Sequence, residues 1–302
     1  MEVALESGGG RLPATVDLPV GPVRGGIVVL HAAEAGHRSY FCYEHLARLL
    51  PGAGIAVLRF DRRPRLAGRD VPLTDQAADA AVALGALRRH VGDVPSGLWG
   101  LSQGAWAAPL TAALRPDLVD FLVLVSSSGV SPAAQMRYGT AEQLRGHGYG
   151  DAEVAELGRL RATMEAYQRG ELDRPRAQAV VDRAAERPWF PLAYVPRELP
   201  DRPGTWRDMD FDPVPVFARV SCPTLLFYGA TDGWVPIDDS VTAWRRATAG
   251  AAVAPTVCRL DGCDHYPTLD QGETLDDISP QYEAAMLSWL DALLPPGRPG
   301  SD

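Results

Sequence analysis

The strongest constraint on the fold is an alternation of short apolar runs with longer segments of helical periodicity. The apolar runs lie at residues 26–31, 55–61, 96–99, 121–125, 224–228 and 256–260, and helical periodicity occurs at 41–50, 74–90, 103–114 and 281–294. Strands that are apolar on both faces are typical of a parallel sheet that helices cover on both sides. The pattern therefore predicts an α/β fold with a mostly parallel central sheet and helices on both of its faces.

Two stretches depart from this alternation. Residues 3–6 and 14–18, which are joined across a Gly-rich turn, predict an antiparallel hairpin at the edge of the sheet. Residues 131–216 are charged, largely helical in pattern, and contain an aromatic and Pro-rich segment. Because a structureless loop of this length is improbable in a compact domain, we interpret 131–216 as a helical cap. It is inserted into a core formed by residues 1–130 and 217–302.

The charge balance argues against nucleic-acid binding. The 302 residues carry 38 acidic and 29 basic side chains, which gives a formal net charge of −9, whereas proteins that bind nucleic acids present a basic surface. All of the basic residues are arginine. The absence of lysine excludes a Ser–Lys dyad, a lysine Schiff base and a phosphate-binding loop built around lysine, since each of these needs that amine.

The chain also lacks the usual signals for a membrane segment, for export or for a metal centre. No apolar run approaches the roughly 18–20 residues of a membrane span, and the first residues lack a basic start and an apolar core. The four cysteines show no CxxC spacing, and no pair of histidines has the spacing of a metal site. We therefore expect a cytoplasmic monomer or homodimer with free thiols, no bound metal, and no membrane or nucleic-acid partner.

One short motif carries most of the chemical information. The segment Gly100-Leu101-Ser102-Gln103-Gly104 matches the G-x-S-x-G pattern, with an apolar strand before it and a helical segment after it. A nucleophilic serine in such a turn adopts unfavourable backbone dihedrals, so the flanking positions must be small. The positive end of the following helix helps to stabilise an oxyanion. The motif therefore predicts a reactive serine at residue 102.

A serine hydroxyl is a poor nucleophile unless a base takes its proton, and two later loops provide a base and an acid. His265 follows the last predicted strand, and Asp232 follows the strand before it. The order Ser102, Asp232, His265 is the one expected for residues that meet at the carboxyl ends of parallel strands. Asp261 and Asp264 are alternative acids, but they share the loop of His265, which disfavours them.

The chain resembles the α/β-hydrolase superfamily over nearly its whole length. The resemblance lies in the motif and in its continuation to Pro109, a GxSQG-x-W-x-AP run similar to that of bacterial serine hydrolases in an esterase and acyl-peptidase-like branch. A cap inserted after the strand at 121–125 is also usual in that family. The resemblance implies that Ser102 is the nucleophile, Asp232 the acid and His265 the base.

The same resemblance implies an oxyanion hole made of two backbone N–H groups. One belongs to the residue after the nucleophile, Gln103, and the other belongs to the loop after the strand that ends at His31. Many family members read His-Gly in that loop, whereas this chain reads His31-Ala32-Ala33-Glu34. Because a backbone donor does not require glycine, we favour the N–H of Ala33, with Ala32 as the alternative.

Substrate contacts are expected from both parts of the chain. Candidates are Ala32 and Glu34 in the oxyanion loop, Trp234 after the predicted acid, and Trp189 and Phe190 in the insertion. The two aromatics of the insertion are also interpretable as the core of the cap itself.

A cluster of arginines after the second predicted strand has two interpretations as well. It is either a solvated loop or a clamp for an anionic substrate group, since guanidinium binds carboxylate and phosphate in a forked geometry. The cluster consists of Arg59, Arg62, Arg63, Arg65 and Arg69.

These assignments predict a serine hydrolase of the carboxylesterase or thioesterase type. It would cleave an ester, thioester or amide of a small to medium substrate through an acyl-enzyme on Ser102, and this mechanism needs no metal or organic cofactor. Two alternatives stay open, because a fold does not determine a function. One is a non-hydrolytic acyltransferase, or a lyase or cyclase of secondary metabolism, that uses the same triad. The other is a non-enzymatic small-molecule receptor on a hydrolase scaffold.

Overall fold

A single sheet organises the computed structural model, which describes residues 1–65, 69–251 and 253–296. Within these ranges eight strands pair in the order β1-β2-β4-β3-β5-β6-β7-β8. They are β1 (Glu2–Ser7), β2 (Gly10–Asp17), β3 (Gly25–Leu30), β4 (Ile55–Phe60), β5 (Ser96–Leu101), β6 (Phe121–Val125), β7 (Thr224–Gly229) and β8 (Thr256–Leu260). Only the pairs β1–β2 and β2–β4 are antiparallel within the described sheet. The predicted parallel sheet with a hairpin at its edge is confirmed.

The helices include one at each of the four segments where helical periodicity was predicted, 41–50, 74–90, 103–114 and 281–294. In the described part of the chain they are α1 (Phe41–Leu49), α2 (Leu73–Val91), α3 (Gly104–Leu114), α4 (Pro132–Gly146), α5 (Asp151–Gln168), α6 (Arg174–Ala184), α7 (Val214–Phe217), α8 (Ile237–Ala247) and α9 (Pro280–Leu293). Among the described residues, no helix combines the length and the apolar character that crossing a membrane requires.

Side chains of the central strands alternate between two hydrophobic clusters, one on each face of the sheet. In β3, Val28 packs in the cluster that contains residues of α2 and α3, whereas Ile27 and Val29 pack in the cluster that contains residues of α1 and α9. The sheet is therefore buried on both faces, as its apolar strands predicted.

Pro109 lies in the middle of α3. Proline lacks an N–H, so the carbonyl of Ala105, four residues earlier, has no partner within the helix. The Oγ of Ser127 donates to that carbonyl at 3.4 Å. A hydroxyl from the segment after β6 thus replaces the missing helical hydrogen bond, and this tertiary contact was not visible in the sequence.

Helices α4–α6 lie between β6 and β7 and surround a third hydrophobic cluster of their own. The N–H of Ala133, at the start of α4, donates to the carbonyl of Met209 at 2.9 Å. The two ends of the insertion are therefore neighbours. Helix α7 packs against α3 and α8, where Phe217 stacks on Trp244 with ring centroids 3.8 Å apart. The boundary expected at 216/217 falls inside α7.

Candidate active site

The turn at Ser102 has the geometry that the G-x-S-x-G pattern requires. Ser102 has a φ of 54°, a left-handed backbone that side chains disfavour, and its N–H donates to the carbonyl of Val125 at 3.0 Å. A Cβ on Gly104 would lie 2.6 Å from the carbonyl oxygen of Leu30, and a Cβ on Gly100 would collide with Gly104. Both flanking positions thus exclude a side chain, because α3 approaches β3 and β5 too closely.

The structure brings Ser102, His265 and Asp232 together at the carboxyl ends of β5, β8 and β7. The Oγ of Ser102 is 2.9 Å from Nε2 of His265. Nδ1 of the same ring is 3.1 Å from Oδ2 and 3.2 Å from Oδ1 of Asp232. With the proton on Nδ1, His265 donates to Asp232 and its free Nε2 accepts from the serine hydroxyl. This arrangement can transfer a proton from Ser102 to His265.

Asp232 is held as a carboxylate in a buried position. Burial by itself would raise its pKa, but the charge that His265 can carry and the hydrogen bonds from His265 and the Trp234 N–H lower the pKa below its ordinary value. The N–H groups of Trp234 and Val235 donate to Oδ1 at 2.8 and 3.2 Å. The alternative acid Asp264 instead accepts from the N–H of Tyr266.

Sequence reasoning missed Ser126, which directly follows β6. This residue is buried and has a left-handed backbone with a φ of 55°. Its Oγ donates to the carbonyl of His265 at 2.9 Å. Ser126 therefore holds the backbone of the residue predicted to be the base. No glycine pattern marks it, so only its position after a central strand could have drawn attention to it.

The loop after β3 contains both candidate oxyanion donors, Ala32 and Ala33, and their N–H groups differ in hydrogen bonding. The N–H of Ala32 already donates to the hydroxyl of Tyr43 at 2.8 Å, and that hydroxyl donates to the carbonyl of Ala35 at 3.0 Å. Within the described ranges, the N–H groups of Ala33 and Gln103 donate to no protein acceptor. These two are thus the backbone donors left free to bind an anion.

The other predicted pocket residues separate into three environments. Trp234 lies beside the triad, where its ring packs edge-on against Tyr194 of the insertion with centroids 4.9 Å apart. Glu34 points into solvent with its side chain 89% exposed, 3.8 Å from Arg65. Trp189 and Phe190 are buried in the hydrophobic cluster of the insertion, as the alternative interpretation held.

The arginine cluster is neither a free loop nor an open clamp. Arg59 pairs with Asp17, Arg63 with Asp79, and Arg65 with Asp70. Arg62 is different, since its guanidinium donates to the carbonyls of Ala32 and Ala33 and to the side chain of Gln103. Most of these charges are therefore neutralised by carboxylates of the chain itself.

The chemistry available at the site rests on side chains and backbone groups. Among the described residues, no group of three or more His, Cys, Asp or Glu side chains is arranged to hold a metal ion. The cysteines are free, and burial raises the pKa of the Cys263 thiol near His265. Of the candidate nucleophiles in this region, Ser102 alone combines a strained turn with a base in contact.

Comparisons with known proteins agree on the fold. A model described as the alpha/beta hydrolase family matches residues 27–278, whereas a comparison with curated proteins finds no match. The chain is similar in structure to Est1E from Butyrivibrio proteoclasticus, at 16% identity over 97% of this chain and 98% of that one, with a TM-score of 0.57. It is likewise similar to a thermostable carboxyl esterase from Bacillus coagulans, at 18% identity, 97% and 98% coverage, and a TM-score of 0.60.

A third similar structure is the proline iminopeptidase from Mycobacterium smegmatis. It shares 15% identity over 97% of this chain and 98% of that one, with a TM-score of 0.59. Identities this low show a common fold. The family model, in contrast, spans the sheet from β3 to β8 together with all three residues of the candidate triad. On that match, the chain belongs to the alpha/beta hydrolase family.

Proposed function

We propose that the chain is a serine hydrolase of the carboxylesterase type that forms an acyl-enzyme on Ser102. One observation carries the proposal: Oγ of Ser102 lies 2.9 Å from Nε2 of His265, whose other nitrogen lies 3.1 Å from the buried carboxylate of Asp232. A nucleophile, a base in contact with it and an acid that orients the base are the minimum required to activate a serine.

The first half of the reaction acylates the serine. His265 accepts the proton of Ser102 while Oγ attacks the substrate carbonyl carbon, and the carbonyl oxygen becomes an oxyanion. The N–H groups of Gln103 and Ala33 would bind that oxyanion. When the intermediate collapses, the bond to the leaving group breaks and His265 protonates the leaving group, which leaves an ester on Ser102.

Hydrolysis of this ester returns the enzyme to its starting state. A water molecule gives a proton to His265 as its oxygen attacks the acyl carbon, and a second oxyanion forms in the same place. Collapse then breaks the bond to Oγ, which takes back the proton from His265, and the carboxylic acid leaves. Asp232 stays ionised throughout and holds the imidazole in the required tautomer.

The substrate class is proposed as an ester, thioester or amide of a small to medium molecule. Carboxyl esterase and iminopeptidase structures are among those similar to this chain, and their names refer to ester and amide bonds. We further propose that α4–α6 act as a cap over the site. Trp234 supports this role, because its ring packs against Tyr194 of the insertion and its backbone N–H donates to Asp232.

A fluorophosphonate probe tests the nucleophile, because it reacts with activated serines and its adduct can be located by peptide mass. We expect one adduct on Ser102 of the wild-type protein and none on Ser102→Ala. A screen of p-nitrophenyl esters with increasing acyl length would then define the pocket. A folded wild-type protein that stays unlabelled would contradict the proposal and favour the receptor alternative.

A paired substitution tests the acid. Asp232→Asn should lower kcat by about 10³–10⁴-fold, because the amide no longer selects the catalytic tautomer of His265. Asp264→Asn changes charge in the neighbouring loop and should keep the wild-type kcat. Equal losses in the two variants would contradict the assignment of Asp232.

A further inference from the structure

Arg62 contacts both halves of the candidate oxyanion hole. Its Nη1 donates to Oε1 of Gln103 at 2.7 Å and to the carbonyl of Ala32 at 3.3 Å, and its Nη2 donates to the carbonyl of Ala33 at 2.5 Å. From this geometry we propose that Arg62 is a positioning residue that assembles the oxyanion hole, an inference that rests on the proposed serine hydrolase function.

The contact with the carbonyl of Ala32 fixes the direction of the proposed donor on Ala33. These two groups belong to one peptide unit, which is planar and trans, so the C=O and the following N–H point in opposite directions. With Arg62 on the oxygen side, the N–H of Ala33 must point away from the guanidinium. A rotation of this peptide would remove the donor from the site and would also break the bond to Arg62.

Three further hydrogen bonds hold the same loop, one from the backbone of Arg62 and two with the side chain of Tyr43. The backbone N–H of Arg62 donates to the carbonyl of Gly36 at 2.7 Å. A Cβ on Gly36 would lie 3.2 Å from Nε of Arg62, so the absence of a side chain there leaves room for the guanidinium. From the opposite side, Tyr43 binds the N–H of Ala32 and the carbonyl of Ala35. The loop is thus clamped between α1 and the segment after β4.

The charge of Arg62 is directed at neutral oxygens, which distinguishes it within its cluster. Arg59, Arg63 and Arg65 each pair with a carboxylate, whereas Arg62 has no carboxylate within ion-pair distance in the described part of the chain. A partly buried cation without a counterion is costly unless something offsets the cost. Placed behind the Ala32–Ala33 peptide, whose N–H would face the substrate carbonyl, it polarises that peptide and favours the developing oxyanion.

The link to Gln103 couples the two donors. Gln103 is the N-cap residue that directly precedes α3 and would provide the second N–H of the hole. Its side chain binds the same Nη1 that binds the carbonyl of Ala32. One guanidinium therefore sets the spacing between the two N–H groups. A lysine at this position would keep the charge but could not span all three oxygens, because it lacks the planar fork.

Kinetics on Arg62→Ala test this role. We expect kcat to fall by about 10–100-fold with little change in KM, because an oxyanion exists only in the transition state and the tetrahedral intermediate. The affinity for an alkylboronic acid, which forms a tetrahedral anion on the serine, should weaken by the same factor. The kcat of Arg62→Lys should lie between those of the wild-type protein and Arg62→Ala. Added guanidinium ion should restore part of the kcat of Arg62→Ala.

Arg88→Ala is the matched control, because this arginine also binds two carbonyls and one side chain. Its partners are the carbonyls of Asp117 and Leu118 and the side chain of Asp120, away from the triad. We expect it to lose stability without a change in boronate affinity. If Arg62→Ala does not fold, Arg62→Lys and Gly36→Ala test the same role by the same kinetics and boronate affinity. The methyl group of Gly36→Ala would lie against the guanidinium of Arg62 and displace it.

The possible failures are distinguishable. If the wild-type protein is not labelled by fluorophosphonate on Ser102, the proposed function fails. If it is labelled, but the Arg62 variants keep wild-type kcat or lose kcat without losing boronate affinity, the positioning role of Arg62 is overturned and the proposed function stands.

Discussion

Two serines with left-handed backbones lie at the ends of neighbouring strands. Ser102 follows β5 and Ser126 follows β6, and both have φ values near 55°. Such conformations cost about 1–3 kcal/mol each and persist where surrounding contacts determine them. Ser102 is held by the close approach of two glycines, and Ser126 is held by its hydrogen bond to the carbonyl of His265. Both strained residues lie within hydrogen-bond distance of His265, in the candidate triad.

His31 illustrates how a buried side chain makes stability depend on pH. Its Nε2 lies 2.6 Å from the carbonyl of Phe60, and burial lowers the pKa of His31 to about 4. The unfolded chain binds the proton near pH 6.5, so folding opposes protonation and stability falls as pH decreases from about 6.5 towards 4. At pH 7 and above this residue contributes no such penalty.

We therefore expect His31→Gln to reduce the acid sensitivity of the protein. Between pH 7 and pH 5 the wild-type chain should lose about 2 kcal/mol more of its unfolding free energy than the variant does. Urea unfolding at several pH values measures this, with His90→Gln as an exposed control. His45, whose pKa burial lowers to about 4 as well, keeps part of the dependence in every variant. Parallel curves for His31→Gln and the wild-type protein would contradict the prediction.

At the scale of elements, helix α4 is in close contact with the loop after β7, which carries Asp232 and Trp234. Gly139 of α4 lies against the indole ring of Trp234, so that a Cβ at this position would collide with the ring. Trp234 in turn donates its N–H to Asp232. The insertion and the triad are thus linked through two residues, and a displacement of α4 would be transmitted to the acid.

Gly139→Ala should accordingly lower kcat. The added methyl group would displace the indole ring of Trp234 and, with it, the backbone N–H of that residue, which donates to Asp232. Gly158→Ala is the matched control, since Gly158 is an exposed residue of α5 with open space around its Cα. That substitution should stabilise the protein by about 0.5–1 kcal/mol, because alanine favours helix more than glycine does. Steady-state kinetics and thermal unfolding of both variants measure the difference. An unchanged kcat in Gly139→Ala would contradict the link.

The elements show what local sequence can and cannot predict. The strands and the helices α1–α3 were predictable, because apolar runs and helical periodicity follow from burial along each element. The relation of Ser102 to His265 and Asp232 was predictable in the same way, since each residue follows a strand of one parallel sheet. The roles of Ser126, Ser127 and Arg62 were not, because each depends on a contact between segments far apart in the chain.

At the scale of the whole molecule, the described residues form three hydrophobic clusters. Two of them lie on opposite faces of the sheet, and the third lies within α4–α6, where Leu160 is fully buried. Contacts within a cluster are cooperative, whereas few apolar contacts join different clusters. The insertion can therefore open as a unit while the sheet stays folded.

Hydrogen exchange on two cavity variants tests this division. Leu160→Ala should speed amide exchange in α4–α6 and leave β3, β5 and β6 protected, because the lost packing of about 2–5 kcal/mol belongs to the third cluster. Leu98→Ala, in the cluster on the sheet, should speed exchange in the strands as well. Faster exchange throughout the chain in both variants would show a single cooperative unit instead.

The hydrogen bond between Ala133 and Met209 also means that the insertion could be exchanged for a different helical segment. The N–H nitrogen of Ala133 and the carbonyl oxygen of Met209 lie 2.9 Å apart, so the chain leaves the core and returns to it at neighbouring points. Another segment with its ends equally close would not require β6 and β7 to separate. Ser102, Asp232 and His265 all lie outside the insertion. Recombining this sheet with foreign helical segments, joined at 133 and 209, would therefore keep Ser102, Asp232 and His265 in the chain, provided that the new segment leaves Trp234 the space that Gly139 now leaves.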